Sequence, residues 1–499
     1  MKIRIASQTI LLLFALFMVV LAVLSIWALQ HNYLNDNAML RWSQVITTLS
    51  APDVRVEDFG LIYPVIPVYL LSFMYYIPGL NSPFAPYLMS IFFGSTLLVI
   101  WYIHLRRDKG YTNVFALLLV LLVASHPFFL WSVTTGTEKA LSLLMFYFLC
   151  LSFVRLAHRQ DVRAFMMLGW ILAIYFLVDQ RTLFLFVGLI PLLPLISPPK
   201  MMRESTWSVY FIFALPLFIF VGAWAYVNWI FRGDPLLFIT SPDSGFLGSR
   251  LLVEQTPWLQ DMGGYFLEPT IISLILALMA FPVLIWVIIH AKRNILLFRS
   301  TVVFFLHPLL ALFIATYAFF IDHPVGILFL FIAGLMAIFI LLPRLAKGQR
   351  KTLVLLLVLG NIGGWLVMSY VPTSDMHNWK QSLTGNFLPN VYEPENRLGQ
   401  WLDMNRYPTL IDNTKGFRAI LARKDAQNLI LPNSKEFKLA FKSPILLIEQ
   451  IVVMDPLSID AAKDQVTQEY PTLYKLGLPS HRLVYDQDYW RVYRLKDLP

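Results

Sequence analysis

Residues 35–67 read NDNAMLRWSQVITTLSAPDVRVEDFGLIYPVIP. They follow an apolar run at 7–29 and lead into another that is interrupted by Pro64, Pro67 and Pro78. Asp36, Asp53, Glu57 and Asp58 lie between those hydrophobic stretches, where a carboxylate is costly unless it stands outside hydrocarbon or faces a polar cavity. The stretch is also longer than a simple connection between spans requires. It reads as the start of a site at a membrane surface, with the hydrophobic segments as its scaffold.

Composition supports that scaffold. Of 499 residues, 58% are hydrophobic and only 14% charged, whereas soluble domains carry roughly 25% charged residues. Apolar runs near 7–29, 84–104, 111–131, 140–157, 164–180, 182–197, 207–230, 270–290, 301–320, 324–343 and 352–371 predict about eleven transmembrane helices. The basic start of the chain resembles a signal peptide, but the apolar run is as long as a full span and no small-x-small cleavage site follows it, so an uncleaved first span is expected.

The net charge of +9 does not point to nucleic acid. Lys and Arg cluster in short segments between spans, such as Arg106, Arg107 and Lys109, or Arg344, Lys347, Arg350 and Lys351. That is the pattern that orients a multi-pass protein in its bilayer. With residues 61–80 lying along the outer surface as a broken interfacial helix, these clusters all fall inside, and the outer loops keep only Arg41, Arg55, Lys139, Arg181, Arg232 and Arg250. The expected protein is an inner-membrane one with a cytoplasmic N-terminus, a first outer loop at about 30–83 and a large outer loop at about 231–269. Cys150, the single cysteine, excludes an intramolecular disulfide and a cysteine metal site.

After residue 371 the composition turns polar. The strand-like runs TLID, NLILP, EQIVVMDP and WRVYRL alternate with the helix-like ENRLGQWLDMN and IDAAKDQVTQEYP, which predicts a soluble extracytoplasmic α/β domain over 372–499 behind a membrane domain over 1–371. The sequence has no P-loop and no GxGxxG, so nothing supports nucleotide chemistry.

Several side chains are candidates for chemistry. Asp36 suits a general base at the membrane surface, and equally an N-cap or a solvated acid. Glu138, in SVTTGTEKALSLL, is either a helix-start charge or a second active-site acid. The spacing of Asp179 and Arg181 favours a structural pair, yet a guanidinium at an outer helix junction also suits a bidentate contact with phosphate. His323, between Asp322 and Pro324, is a turn residue or a proton carrier. Outer-loop carboxylates could hold a divalent cation, although no spacing defines a metal loop.

These features, in this order, resemble the GT-C superfamily of integral-membrane glycosyltransferases, in particular the branch with the protein O-mannosyltransferases and the lipid A aminoarabinose transferases. DNAMLRW is similar to the acidic motif after the family's first span, and YPVIPVYLLSFMYYIPG to its Pro-rich interfacial helix. SHPFFLWSVTTGTEKALSLLMF, DQRTLFLFVGLIPLL and NWIFRGDPLLF are similar to later stretches of the family, in order. The resemblance implies a polyprenyl-phosphate-linked sugar as donor and a glycan, lipid or protein as acceptor. It implies Asp36 as catalytic base, Glu138 as second acid and Arg181 as a donor-phosphate contact. Apart from the resemblance, Trp42 and Tyr63 are candidate sugar-binding aromatics, suited as well to anchoring at the interface, and Asp58 and His323 complete the candidate substrate-binding residues. Asn37 stands where many members carry the second acid of a pair, and Asp322-His323-Pro324 where many carry a basic residue and a tyrosine. A transporter or lipid flippase, or a non-catalytic envelope assembly protein, are the alternatives from other classes.

Overall fold

The computed structural model describes residues 7–50, 61, 64–159, 162–197, 199–241, 267–291, 294–317, 323–343, 345–390, 392–423, 427–432, 434–442, 447–458 and 464–496. The chain divides into two compact units, one of residues 1–33, 64–67 and 87–388, the other of 34–63, 68–86 and 389–499.

The first unit is helical. Among the described residues, six helices are long and apolar enough to cross a membrane: Ser7–Gln30, Ala85–Arg107, Lys139–Leu156, Thr206–Arg232, Ile295–Tyr317 and Lys347–Tyr370. Two further pairs would do so as broken spans, Asn113–Ala124 with Pro127–Thr134 and Glu268–Ala280 with Val283–Ala291, bent by 72° and 91°. Other expected spans form shorter apolar helices, including Leu330–Leu341. That helix is buried along almost its whole length, whereas Ser7–Gln30 and Thr206–Arg232 bury 17% and 22% of their apolar windows. A helix apolar on every side is stable in the middle of a bundle or against lipid, and both cases occur here.

The two breaks meet. His126, between the halves of one pair, donates from Nε2 to the Ala280 carbonyl at the break of the other (3.1 Å) and stacks on Phe281 at 4.6 Å. The third party is the helix Lys347–Tyr370. A Cβ on Gly363 would lie 2.1 Å from the Met279 carbonyl, and one on Gly364 2.9 Å from His126. Small residues thus let backbones touch where two helices are interrupted.

The helix Val65–Tyr75 has 11 residues, about 16 Å, too short for a hydrocarbon core of about 30 Å. It is one of the shorter apolar helices, as is Leu330–Leu341.

The second unit carries a five-stranded sheet in the order β2-β1-β3-β5-β4. Its strands are β1 (Thr409–Leu410), β2 (Leu429–Ile430), β3 (Gln450–Met454), β4 (His481–Gln487) and β5 (Trp490–Leu495). The first three are parallel, and β5 pairs antiparallel with both β3 and β4. Period-two alternation sends Val452 and Met454 into one core with Leu398, Ile420 and Trp490, and Ile451 and Val453 into another with Phe437, Val466 and Leu473. The sheet is covered on both faces, as parallel strands require. β4 and the helices Asn413–Ala422 and Lys435–Lys442 were not expected from the sequence runs.

Candidate functional site

In the first unit, Arg181 is the centre of a charged cluster. It stands at the start of the helix Thr182–Leu189, two residues after Asp179, which follows the helix Val162–Val178. Its Nε and Nη2 donate to Asp179 Oδ1 and Oδ2, each at 3.1 Å, and its backbone N–H donates to the same carboxylate at 3.0 Å. The fork-on-carboxylate geometry fixes the plane of the guanidinium. Glu138 Oε1 lies 4.0 Å from Nη2, so the structure brings together two residues that the sequence separates by a whole hairpin of helices. Glu138 is delivered by the TTGTE turn, in which Gly136 adopts φ +75°, a conformation glycine takes at little cost. Thr135 and Thr137 hydrogen-bond across that turn at 3.1 Å.

Asp179 and Arg181 line the mouth of a cavity of about 610 Å³, counting its space open to solvent. Leu185, Leu312, Ala315, Ile327, Phe329 and Leu330 supply most of its wall. The Arg181–Asp179 pair and Thr182 are its polar lining and the rest is mostly aliphatic and aromatic, a form that suits an amphiphile with a polar head. His323 stands in the turn that supplies Gly326 and Ile327 to this wall. Its carbonyl accepts from Gly326 N at 2.7 Å and its Nδ1 from Val325 N at 3.3 Å, so the ring shapes the turn.

The same TTGTE turn is anchored by residues that had no sequence signal. Asp375 accepts from Tyr33 Oη (2.7 Å) on one oxygen and from Trp131 Nε1 (2.9 Å) on the other. Trp379, four residues on, donates from Nε1 to Thr134 Oγ1 at 2.9 Å and stacks on Trp365. Lys139, next to Glu138, sits 4.4 Å above the Trp131 ring, a cation–π contact. Tyr33, Trp131 and Trp379 are all buried while Asp375 is half-buried, so the donors of these bonds lie where an unmade bond is expensive.

In the second unit, Asp36 begins the helix Asp36–Ser50. Asn35, not Asp36, caps it, its Oδ1 accepting from Ala38 N at 3.0 Å; Asp36 is left with its side chain 63% exposed. It is engaged by Arg418, whose Nη2 donates to Asp36 Oδ1. Trp42 is fully buried and packs against Tyr75 (6.4 Å), so it supports the helix that presents Asp36. Asp58 and Tyr63 lie outside the described residues. Among the described residues no group of three or more His, Cys, Asp or Glu side chains is arranged to hold a metal ion. Cys150 is buried with a free thiol.

Elsewhere in this unit two carboxylates are buried together. Asp412 caps Asn413–Ala422, accepting from Thr414 N (2.7 Å), and its second oxygen accepts from Gln465 N (2.7 Å). Asp464 caps Gln465–Glu469 through Thr467 N at 2.6 Å. Burial, then the neighbouring Asp412, pushes the Asp464 carboxyl up to about 7, since two charges cannot both be held in one dry place.

The architecture defines a class, a multi-pass helical membrane protein with a soluble C-terminal α/β domain. No family model and no curated protein matches the sequence. Among solved structures, ArnT from Cupriavidus metallidurans bound to undecaprenyl phosphate is similar over 98% of both chains, with a TM-score of 0.55 at 13% identity. The apo form of the same protein aligns over 96% of this chain and 97% of its own, with a TM-score of 0.49 at 12% identity. The resemblance read from the sequence is borne out as a shared fold.

Proposed function

We propose that this chain is an inner-membrane glycosyltransferase that takes a sugar from a polyprenyl-phosphate-linked donor on the outer face and transfers it to an acceptor there. The observation that carries the proposal is the cavity in the first unit, mostly apolar in its lining, with the Arg181 guanidinium and its partner Asp179 among the residues that line it. A polyprenyl phosphate has the matching form, an isoprenoid chain ending in an anion. The solved ArnT structure of the same fold has undecaprenyl phosphate bound.

In this reading the acceptor hydroxyl or amine attacks the anomeric carbon as the bond from that carbon to the phosphate oxygen breaks. The resemblance to the GT-C superfamily gives the acceptor proton to Asp36. The electron pair leaves on the phosphate, whose growing charge Arg181 stabilises, and Glu138 helps hold Arg181 where that charge appears. A single displacement inverts the anomeric centre. The products are glycosylated acceptor and free polyprenyl phosphate.

The bent helix pairs are the feature that most favours a transporter, because broken spans often line its pathway. Here the breaks are plugged by His126 and Phe281. The test supplies radiolabelled polyprenyl-phosphate sugars and a membrane extract to purified wild type, Asp36→Asn and Glu138→Gln. Transfer by wild type that both variants lose, while they remain folded, supports the proposal; transfer that survives Asp36→Asn removes the base assignment.

A further inference from the structure

The proposed base is not the only charged group at its position. Arg418 comes from the helix Asn413–Ala422, which packs along Asp36–Ser50 within the second unit, and its guanidinium meets Asp36 across 382 positions of sequence. We infer that Arg418 is a positioning residue of the transferase: it holds Asp36 Oδ1 so that Oδ2 is presented to the acceptor proton. The role rests on the glycosyltransferase reading above.

Three observations make this arginine a fixed support rather than a passing surface contact. Its side chain is only 14% exposed, against 63% for Asp36, so the cation is the buried member and the carboxylate the accessible one. Its guanidinium lies 3.2 Å from the centroid of the Tyr392 ring, with Phe417 at 5.1 Å; stacking of this kind holds the planar group in orientation. Tyr392 in turn donates from Oη to the Leu34 carbonyl at 3.4 Å, two residues before Asp36, so the support and the supported residue share a frame.

The helix that carries Arg418 is itself pinned. A Cβ on Gly399 would come within 2.3 Å of the Ala419 carbonyl, and one on Gly416 within 2.7 Å of Ile411 Cδ1, so the backbone on either side of Arg418 is in direct contact with its neighbours. Among the described residues, buried Arg418 Nε has no hydrogen-bond partner. Asp36 is the carboxylate that the described residues set against the guanidinium, and, being exposed, it can also turn to water. A base free to turn is a poor base, because reaction rates fall steeply when a reacting group is misplaced by as little as an ångström. The soluble domain thus contributes to the proposed chemistry through a side chain, without touching the reacting atoms.

The experiment uses the full-length protein in detergent, with Asp36→Asn, Arg418→Gln, Arg418→Lys and the double variant Asp36→Asn/Arg418→Gln. Thermal midpoints come first. Asp36→Asn should lower the midpoint more than Arg418→Gln, since it strands the buried cation, and the double variant should recover part of the loss; additive midpoints would overturn the pair. Transfer kinetics come second. Arg418→Gln should lower kcat by about 10- to 100-fold with the donor KM unchanged, Arg418→Lys should regain part of it, and the double variant should be no slower than Asp36→Asn alone. Wild-type kcat in Arg418→Gln would overturn the positioning role. If the midpoints couple but wild type transfers no sugar from any donor, the glycosyltransferase reading falls and the role with it, while the ion pair stands.

Discussion

Tyr33 Oη donates to Asp375 Oδ1 at 2.7 Å, joining the end of the first span to a helix 342 residues later. The other oxygen of Asp375 holds Trp131 at 2.9 Å, so one carboxylate ties the first span, the turn that delivers Glu138 and the segment after the last span into one frame.

Replacing Asp375 by Leu should therefore destabilise the first unit although Asp375 is far from Arg181 in sequence. Tyr33 and Trp131 would keep buried donors without an acceptor, at about 1–3 kcal/mol each. The thermal midpoint of the purified protein measures this, and Asp375→Asn, which retains one acceptor oxygen, should fall between Leu and wild type.

Removing the charge at Arg181 should act on the donor. Charge-assisted hydrogen bonds contribute about 1.5–3 kcal/mol, so Arg181→Gln should raise the donor KM roughly 10- to 100-fold and weaken inhibition by free undecaprenyl phosphate to the same degree. Titrating that lipid against transfer reads both.

The wall of the cavity makes a separable prediction. Ala315 is buried and lines it; Ala315→Phe should obstruct a long isoprenoid chain while sparing a donor with a short one. Comparing kcat/KM for a long-chain and a short-chain donor on the same preparation tests it, because general unfolding would lower both.

The carboxylate pair of the soluble domain predicts a pH dependence of stability. Asp464 has a folded pKa of about 7, above that of an unfolded carboxyl, so the folded chain binds the extra proton and stability falls as pH rises from about 4 to about 7. The midpoint of the soluble domain, followed by heat or denaturant between those values, should decline. Asp464→Asn keeps a cap for Thr467 N and should flatten the slope.

Gly363 tests the junction of broken helices. A methyl group there would meet the Met279 carbonyl at 2.1 Å, and backbone has little room to give. Gly363→Ala should cost about 1–3 kcal/mol, seen as a lower midpoint and less folded protein from membranes.

Much of the fold was legible in the chain. The apolar runs, the short Pro-rich helix Val65–Tyr75, and the strands at TLID, NLILP, EQIVVMDP and WRVYRL all correspond to elements of the structure. The hairpin partner β4 was missed because HRLVYDQ is a sheet edge with exposed, polar positions, which weakens its alternation. The helix Asn413–Ala422 was missed because a glycine lies in it; Gly416 is there for close packing against Ile411. Of the candidate residues, Arg181 and Glu138 were visible as charges beside apolar spans, where each demands a reason. Asp375 and Arg418 were not, because an acid or a base in polar sequence demands none.

The sequence by itself determined that this is a multi-pass membrane protein with a soluble α/β domain, since hydrocarbon thickness and strand alternation act on neighbouring residues and leave their mark in every short window. Only the tertiary structure decided that Glu138 stands 4.0 Å from Arg181, that Asp375 receives Tyr33 and Trp131, and that Arg418 takes hold of Asp36. Those contacts depend on where distant helices come to rest against one another and on which way each side chain then points, and neither is fixed by local spacing.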